Sequence, residues 1–402
     1  MEVKILRINN EGEGIASIDG KLCFIKGALP DEIVNIEIIE DKGNYFIGKL
    51  LNVVTPSENR VIPKCPYYDK CGGCELMHQV NTKNLEFKQD KVKGIFKKIC
   101  ELDINPEIYS FNELNYRNKV TLKVSNNELG YYEEKTHNIV DIDKCLLLDE
   151  SINDVISKLK SFIQGKEHNI TEIMIRSILN EIMISFDNLN LIYKDELLSL
   201  LPQASIYIKD ENISGNTKLI EQIEDYKFYV SPKSFFQVNT VTFKELYKYV
   251  ISKLDNEETA LDLYSGTGTI SILMSKYFNK VYGIEVSSSS IMDANENLKL
   301  NNISNVEFIE GKVEDKIDLL RELKVNTVIM DPPRSGSDNK SLTSIMKINP
   351  KKIIYISCNP VTLARDYNVL KEQYSLKSID LFDMFPQTSH VECVLVLSRK
   401  TL

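Results

Sequence analysis

The sequence predicts an α/β protein whose carboxyl-terminal part is a doubly wound, Rossmann-like sheet, preceded by a small β-barrel and a central α+β region. Three observations predict that sheet. From about residue 233, apolar runs of strand length alternate with helical stretches. A glycine loop, Asp262-Leu-Tyr-Ser-Gly-Thr-Gly268, joins the first of these strands to a helix. The following strand candidate, VYGIEV, carries an acid near its end, Glu285.

The amino-terminal segment, 1–56, reads as five short strands: VKILRI, the two halves of IASIDGKLCFI, then IVNIEIIE and YFIGKLLNVV. Alternating apolar positions between turn residues suggest a small five-stranded barrel. Pro56-Ser-Glu-Asn-Arg is the linker that ends it. Residues 57–232 are less regular. They hold a cysteine-rich loop at 65–78, a helix at 81–100 and strand-like pieces such as YRNKVTLKV and EIMISF. An antiparallel sheet with a few helices fits this segment. In 233–402 the strands are ALDLY, VYGIEV, VEFIEG, TVIMD, KIIYIS, SIDLFD and VECVLVLS.

Composition sets the setting for any chemistry. The 402 residues are 43% hydrophobic and 27% charged, as in ordinary globular proteins, and no run of about 18 apolar residues is present. The amino terminus carries acids and lacks an apolar core, so a secretory leader is not expected and a cytoplasmic protein is. In that reducing setting eight cysteines point to metal ligation or catalysis and not to disulfides. A net charge of −9 opposes nucleic-acid binding, yet the stretch 83–98 holds six lysines against Glu86 and Asp90.

Gly266 and Gly268 permit the tight turn that brings backbone against a ligand at a helix N-terminus. The third glycine of the dinucleotide fingerprint is missing, since Thr269 and Ile270 follow Gly268. Glu285 lies 19 residues after Gly266, where a carboxylate can accept both ribose hydroxyls. Loop and acid together favour S-adenosylmethionine over a dinucleotide. Asp331-Pro-Pro-Arg-Ser-Gly336 ends another strand, placing Asp331 where open sheets bind ligands and following it with a rigid loop. Such a loop suits one wall of a pocket for a base flipped from its stack.

Ile356-Ser-Cys-Asn-Pro360 brings a thiol, Cys358, to the tip of an apolar strand. Core packing needs no such placement, whereas a nucleophile does. Glu392 is the only acid in HVECVLVLS, and an acid in an apolar strand is costly without a partner or a task. A thiolate that adds to C6 of uracil makes C5 nucleophilic, and a separate base must then remove the C5 proton. Cys358 and Glu392 supply that pair. His390, two residues earlier on a regular strand, shares the face of Glu392 and is a second base candidate, while Cys393 should point into the core. No Lys, Arg or His adjoins Cys358 in sequence, so help for its thiolate must come through space, from Arg334 or the sulfonium charge. Cys65, Cys71 and Cys74 form C-x5-C-x2-C, with Cys145 further on. Four such thiols suggest zinc or an iron–sulfur cluster, and spacing does not separate the two. Cys23 and Cys100 have no partners in this pattern and read as structural.

These motifs resemble the bacterial RNA (uracil-5-)methyltransferases, and specifically their 23S ribosomal RNA branch. YRNK (116–119), SFFQVN (234–239), DLYSGTGT, DPPR-x-G, SCNP and HVECV occur in the family's order, and the likeness spans nearly the whole chain. The resemblance implies a class I methyltransferase domain at 233–402, an OB-like TRAM barrel at 1–56 that contacts RNA, and a central domain at 57–232. It implies cofactor contacts at Gln237, Tyr264, Gly266, Glu285 and Asp331, Cys358 as nucleophile and Glu392 as proton acceptor. It also implies a [4Fe-4S] cluster on Cys65, Cys71, Cys74 and Cys145. Thr269 departs from relatives that carry Asn there. The tRNA-specific branch lacks barrel and cluster, so 23S ribosomal RNA is the expected partner, bound by a monomer without DNA or membrane. An RNA (cytosine-5-)methyltransferase would share the addition chemistry but place a second cysteine where Glu392 stands.

Overall fold

The computed structural model describes residues 1–134 and 136–401. The carboxyl-terminal sheet contains β1 (Glu257–Leu263), β2 (Phe278–Glu285), β3 (Val306–Glu310), β4 (Thr327–Met330), β5 (Lys352–Ser357), β6 (Tyr374–Phe382) and β7 (Glu392–Arg399). Their spatial order is 3-2-1-4-5-7-6, parallel except for β7, which runs antiparallel to both neighbours. An eighth, two-residue strand, Ile108–Tyr109, pairs with β6. The helices are α1 (Thr240–Ser252), α2 (Thr269–Met274), α3 (Ser288–Leu300), α4 (Asn339–Ile348) and α5 (Pro360–Leu370).

The strands are nearly all apolar because helices cover both faces of the sheet. Side chains alternate between two cores. Ile353 and Tyr355 of β5 join Val328 and Met330 of β4 on one side, while Ile354, Ile356 and Ile329 face the other. The long helix Asn81–Cys100 completes the first core with Val92, Ile95 and Phe96, and it packs against α5. Its Lys88 is buried and ion-paired with Asp383. A hairpin of Leu219–Ile223 and Tyr226–Val230 completes the second core and contacts α3. The segment 57–232 therefore gives its first helix, one short strand and its last hairpin to the carboxyl-terminal layers. What stays separate is a seven-stranded sheet between residues 119 and 214, covered by the helix Glu150–Ile163.

The amino-terminal sheet has six strand segments where five were expected. The first strand is split: Glu2–Lys4 pairs at one edge and Arg7–Ile8 at the other. Between them, Ile5 N–H donates to Glu32 O at 2.9 Å and Leu6 N–H to Ile15 O at 2.8 Å. The chain thus crosses from one edge to the other, which removes free edges as a barrel must. Cys23 lies in the barrel core and Cys100 in the helix–sheet core, as structural thiols do. Among the described residues no helix is long and apolar enough to cross a membrane.

Candidate active site

Strand order reverses between β1 and β4, and a cavity of about 530 Å³ opens at their carboxyl ends. Gln237, Tyr264, Gly266, Glu285 and Asp331 all line it. Tyr264 (φ 65°) and Gly266 (φ 54°) turn the chain back over the cavity. Gly268 is forced by packing: a Cβ there would lie 2.5 Å from Phe308 Cζ, at a φ of 80°. Gly266 N–H donates to Glu285 Oε2 at 3.0 Å and Ser287 N–H donates to Oε1 at 2.8 Å. The glycine loop and the strand-end acid are thereby one rigid rim. Tyr264 Oη bonds Ser337 Oγ at 3.0 Å, which links that rim to the loop after β4. Thr269 also lines the cavity, at the start of α2.

Two acids stand inside. Asp262 accepts from Ser271 Oγ at 2.5 Å, yet burial pushes its carboxyl up to about 7. Asp331, one residue past β4, is likewise raised to about 7 by burial. A cavity with buried carboxyl groups and a rigid acid at its rim suits a ligand that carries ribose hydroxyls and positive charge.

Beside it, a smaller pocket of about 190 Å³ is lined by Cys358, Arg334, Lys91, His390, Asn10 and Glu11 among others. Cys358 is half-buried, whereas Glu392 is 5% exposed. Ser357 on β5 pairs with Cys393 on β7. Antiparallel register then sets Cys358 opposite Glu392, one step beyond the ladder. Asn359 caps α5, accepting Val361 N–H at 3.1 Å, and Pro360 takes the first helical position. The Asn-Pro pair thus ends β5 at Cys358 by starting a helix.

Burial raises the Cys358 thiol above its ordinary value, and the nearby charges of Glu392 and Asp331 add to this. Arg334 opposes the rise through its charge and a hydrogen bond. Glu392 is pushed well above the carboxylate range by burial and by Asp331, again opposed by Arg334. Arg334 therefore meets both groups through space, as sequence reasoning required of a helper. His390 differs from expectation. It precedes β7, so strand alternation does not place it beside Glu392; its ring lies against Phe385 with centroids 6.1 Å apart. Cys393 points into the core as expected.

Sequence reasoning missed the clamp on the loop before Glu392. Lys88 donates to Phe385 O at 3.1 Å, Lys91 to Ser389 O at 3.0 Å, and Tyr116 Oη to Pro386 O at 3.1 Å. From the cysteine loop, the N–H groups of Glu75 and Leu76 both donate to Gln387 O at 3.0 Å, and Ser389 N–H donates to Glu75 Oε2 at 3.0 Å. No local pattern signalled this clamp, because its side-chain donors bond main-chain oxygens 270 to 298 residues away.

Cys65, Cys71, Cys74 and Cys145 are free thiols and mutual neighbours: ionisation of Cys65, Cys71 or Cys145 would raise Cys74, which burial already holds high. Among the described residues, no three His, Cys, Asp or Glu side chains are arranged to hold a metal ion.

Comparison with known proteins decides the family. Residues 192–400 match the family described as tRNA (Uracil-5-)-methyltransferase, and residues 1–51 match the TRAM domain. An uncharacterized RNA methyltransferase of Clostridium tetani is 36% identical over 98% of this chain and 95% of its own. One from Staphylococcus aureus is 34% identical over 98% and 97%. The chain belongs to the (uracil-5-)methyltransferase family. It is an S-adenosylmethionine-dependent RNA methyltransferase acting on uracil C5. A solved structure, Pyrococcus abyssi tRNA (uracil-54, C5)-methyltransferase in complex with S-adenosyl-L-homocysteine, matches with a TM-score of 0.80 at 28% identity. It covers 99% of both chains. A tRNA (uracil-54, C5)-methyltransferase thus shares the architecture from end to end, and the amino-terminal barrel does not mark a ribosomal substrate.

Proposed function

We propose that this enzyme methylates C5 of a uridine in 23S ribosomal RNA through a covalent bond between Cys358 and C6. The observation that supports this is the register that sets Cys358 opposite Glu392 beside the cofactor cavity. S-adenosylmethionine, seated by Gln237, Tyr264, Gly266, Glu285 and Asp331, supplies the electrophilic methyl group. The Cys358 thiolate adds to C6 of the flipped uracil, and the C5–C6 electron pair moves toward C5 and the O4 carbonyl. C5 would then bond the methyl carbon as the methyl–sulfonium bond breaks, its electron pair returning to sulfur and S-adenosylhomocysteine leaving. Glu392 takes the C5 proton, the C6–S bond breaks, and the thiolate of Cys358 is released. Arg334 favours the anionic forms of both groups. Beside a sulfonium charge, Cys358 and Glu392 ionise more readily, which ties their activation to a filled cofactor cavity.

Cys65, Cys71, Cys74 and Cys145 are assigned as ligands of a [4Fe-4S] cluster. An all-thiol set suits iron–sulfur chemistry. Its position supports a bracing task, because the same loop holds Gln387 and Ser389.

A second reading, a tRNA uridine as substrate, is favoured by the end-to-end likeness to the Pyrococcus abyssi enzyme. Mapping 5-methyluridine in both RNA classes from a deletion strain, before and after adding the enzyme back, separates the two. Loss and restoration in 23S RNA are expected; loss confined to tRNA would establish the second reading.

A further inference from the structure

In the central sheet, strands Lys119–Ser125 and Glu172–Ile178 run antiparallel, with Lys123 opposite Glu172 and Lys119 opposite Arg176. Opposite charges across a ladder stabilise it and like charges oppose it. Lys123 and Glu172 obey this rule and form an ion pair. Lys119 and Arg176 break it. Arg176 is only 1% exposed, and its guanidinium donates to Ser231 O at 3.1 Å and Ser234 O at 2.9 Å. Those are carbonyls, which satisfy hydrogen bonds without balancing charge. Arg117 stands two residues before Lys119 and donates from Nε to its carbonyl at 3.0 Å.

Among the described residues, the charges that act on Lys119 are those of Arg176 and Arg117, with no acid to offset them. Burial and these two arginines pull the Lys119 ammonium down to about 8. A half-buried cation beside two others is costly unless an anion joins them.

The cluster adjoins the site of reaction. Asn118, between Arg117 and Lys119, donates its N–H to Val238 O at 2.8 Å and its Nδ2 to Thr240 Oγ1 at 2.9 Å. The carbonyls held by Arg176 begin the same segment, which carries Phe235, Phe236 and Gln237 into the cofactor cavity. Phe235 is 74% exposed, so this edge of the cavity is open to a large substrate. None of the three cations lines the cavity itself.

We propose that Lys119 and Arg117, backed by the buried Arg176, seat one backbone phosphate of the RNA substrate beside the site of methyl transfer. This rests on the reading of RNA as substrate. The methionine carboxylate of the cofactor offers similar anion chemistry, but the cofactor cavity does not reach these residues.

The test uses the cluster-loaded protein, a fluorescent uridine-rich single-stranded RNA oligonucleotide, and Lys119→Met, which keeps the packing stem. Affinity measured across a salt series should fall, with the slope of log affinity against log salt flattened by about 0.7, one phosphate's worth. Lys119→Arg should keep the wild-type slope. S-adenosylhomocysteine affinity should be unchanged, and melting temperature unchanged or higher, because a cross-strand repulsion is removed. An unaltered salt slope in Lys119→Met overturns the seat. Weakened S-adenosylhomocysteine binding also overturns it, in favour of the carboxylate. The oligonucleotide offers phosphates whatever base is methylated. Failure of the wild-type enzyme to form 5-methyluridine in any RNA would therefore refute the function and leave the salt result to judge the seat.

Discussion

Gly266 N–H donates to the Glu285 carboxylate at 3.0 Å, tying the glycine loop after β1 to the acid that ends β2. The loop is therefore held in shape by the acid itself, and in the proposed reading the remaining acceptor sites of Glu285 would take ribose hydroxyls. Glu285→Gln keeps the shape of the side chain and removes its charge. Hydrogen bonds to charged groups contribute about 1.5–3 kcal/mol, so affinity for S-adenosylhomocysteine should fall about 10- to 100-fold by calorimetry.

The buried acid of the cavity predicts a pH signature. Asp262 has an ordinary value of 3.8 and a folded value of about 7. Its contribution to stability is full below the lower value and lost as pH rises through the upper one. From pH 5.5 to 7 the loss is about 1.4 kcal/mol per unit, roughly 2 kcal/mol in all. Asp262→Asn has no such proton to lose. The stability difference, Asp262→Asn minus wild type, should grow by that amount between pH 5.5 and 8.5 in cofactor-free denaturation, and a constant difference would contradict it.

The proposed cluster predicts a link between the cysteine loop and the loop before Glu392. Cys74→Ser should lose iron and the visible absorbance of the cluster. Because Glu75 and Leu76 hold Gln387 O, and Glu75 holds Ser389, amide exchange should rise around residues 387–390. The glycine loop, bonded to Glu285, should keep its exchange rates and its cofactor affinity. Equal protection of residues 387–390 with and without the cluster would contradict the bracing assignment.

The placement of the candidate site was legible in the sequence because its residues sit at strand ends. Asp331, Cys358 and Glu392 each interrupt or terminate an apolar run; parallel β4 and β5 bring the first two ends together, and antiparallel β7 starts at the third beside them. The same logic failed at His390, since alternation applies only inside a strand and β7 begins at Glu392. The barrel was read with one strand too few because its first strand serves two edges, which periodicity does not reveal. The helix 81–100 was visible as a basic amphipathic segment. That Lys88 would be buried against Asp383, 295 residues away, was not, because buried ion pairs leave no local pattern. The mismatch of Lys119 with Arg176 likewise exists only once the strand register is known.

The central claim is that Cys358 and Glu392, opposite each other across β5 and β7, divide the reaction into addition and proton removal. Its most direct test is a denaturing gel of radiolabelled substrate RNA incubated with S-adenosylmethionine and either variant. Glu392→Gln should accumulate an RNA–protein adduct that survives denaturation, with turnover reduced about 10²- to 10⁴-fold. Cys358→Ala should form no adduct and no 5-methyluridine while still binding S-adenosylhomocysteine. An adduct in Cys358→Ala, or undiminished turnover in either variant, would contradict the account.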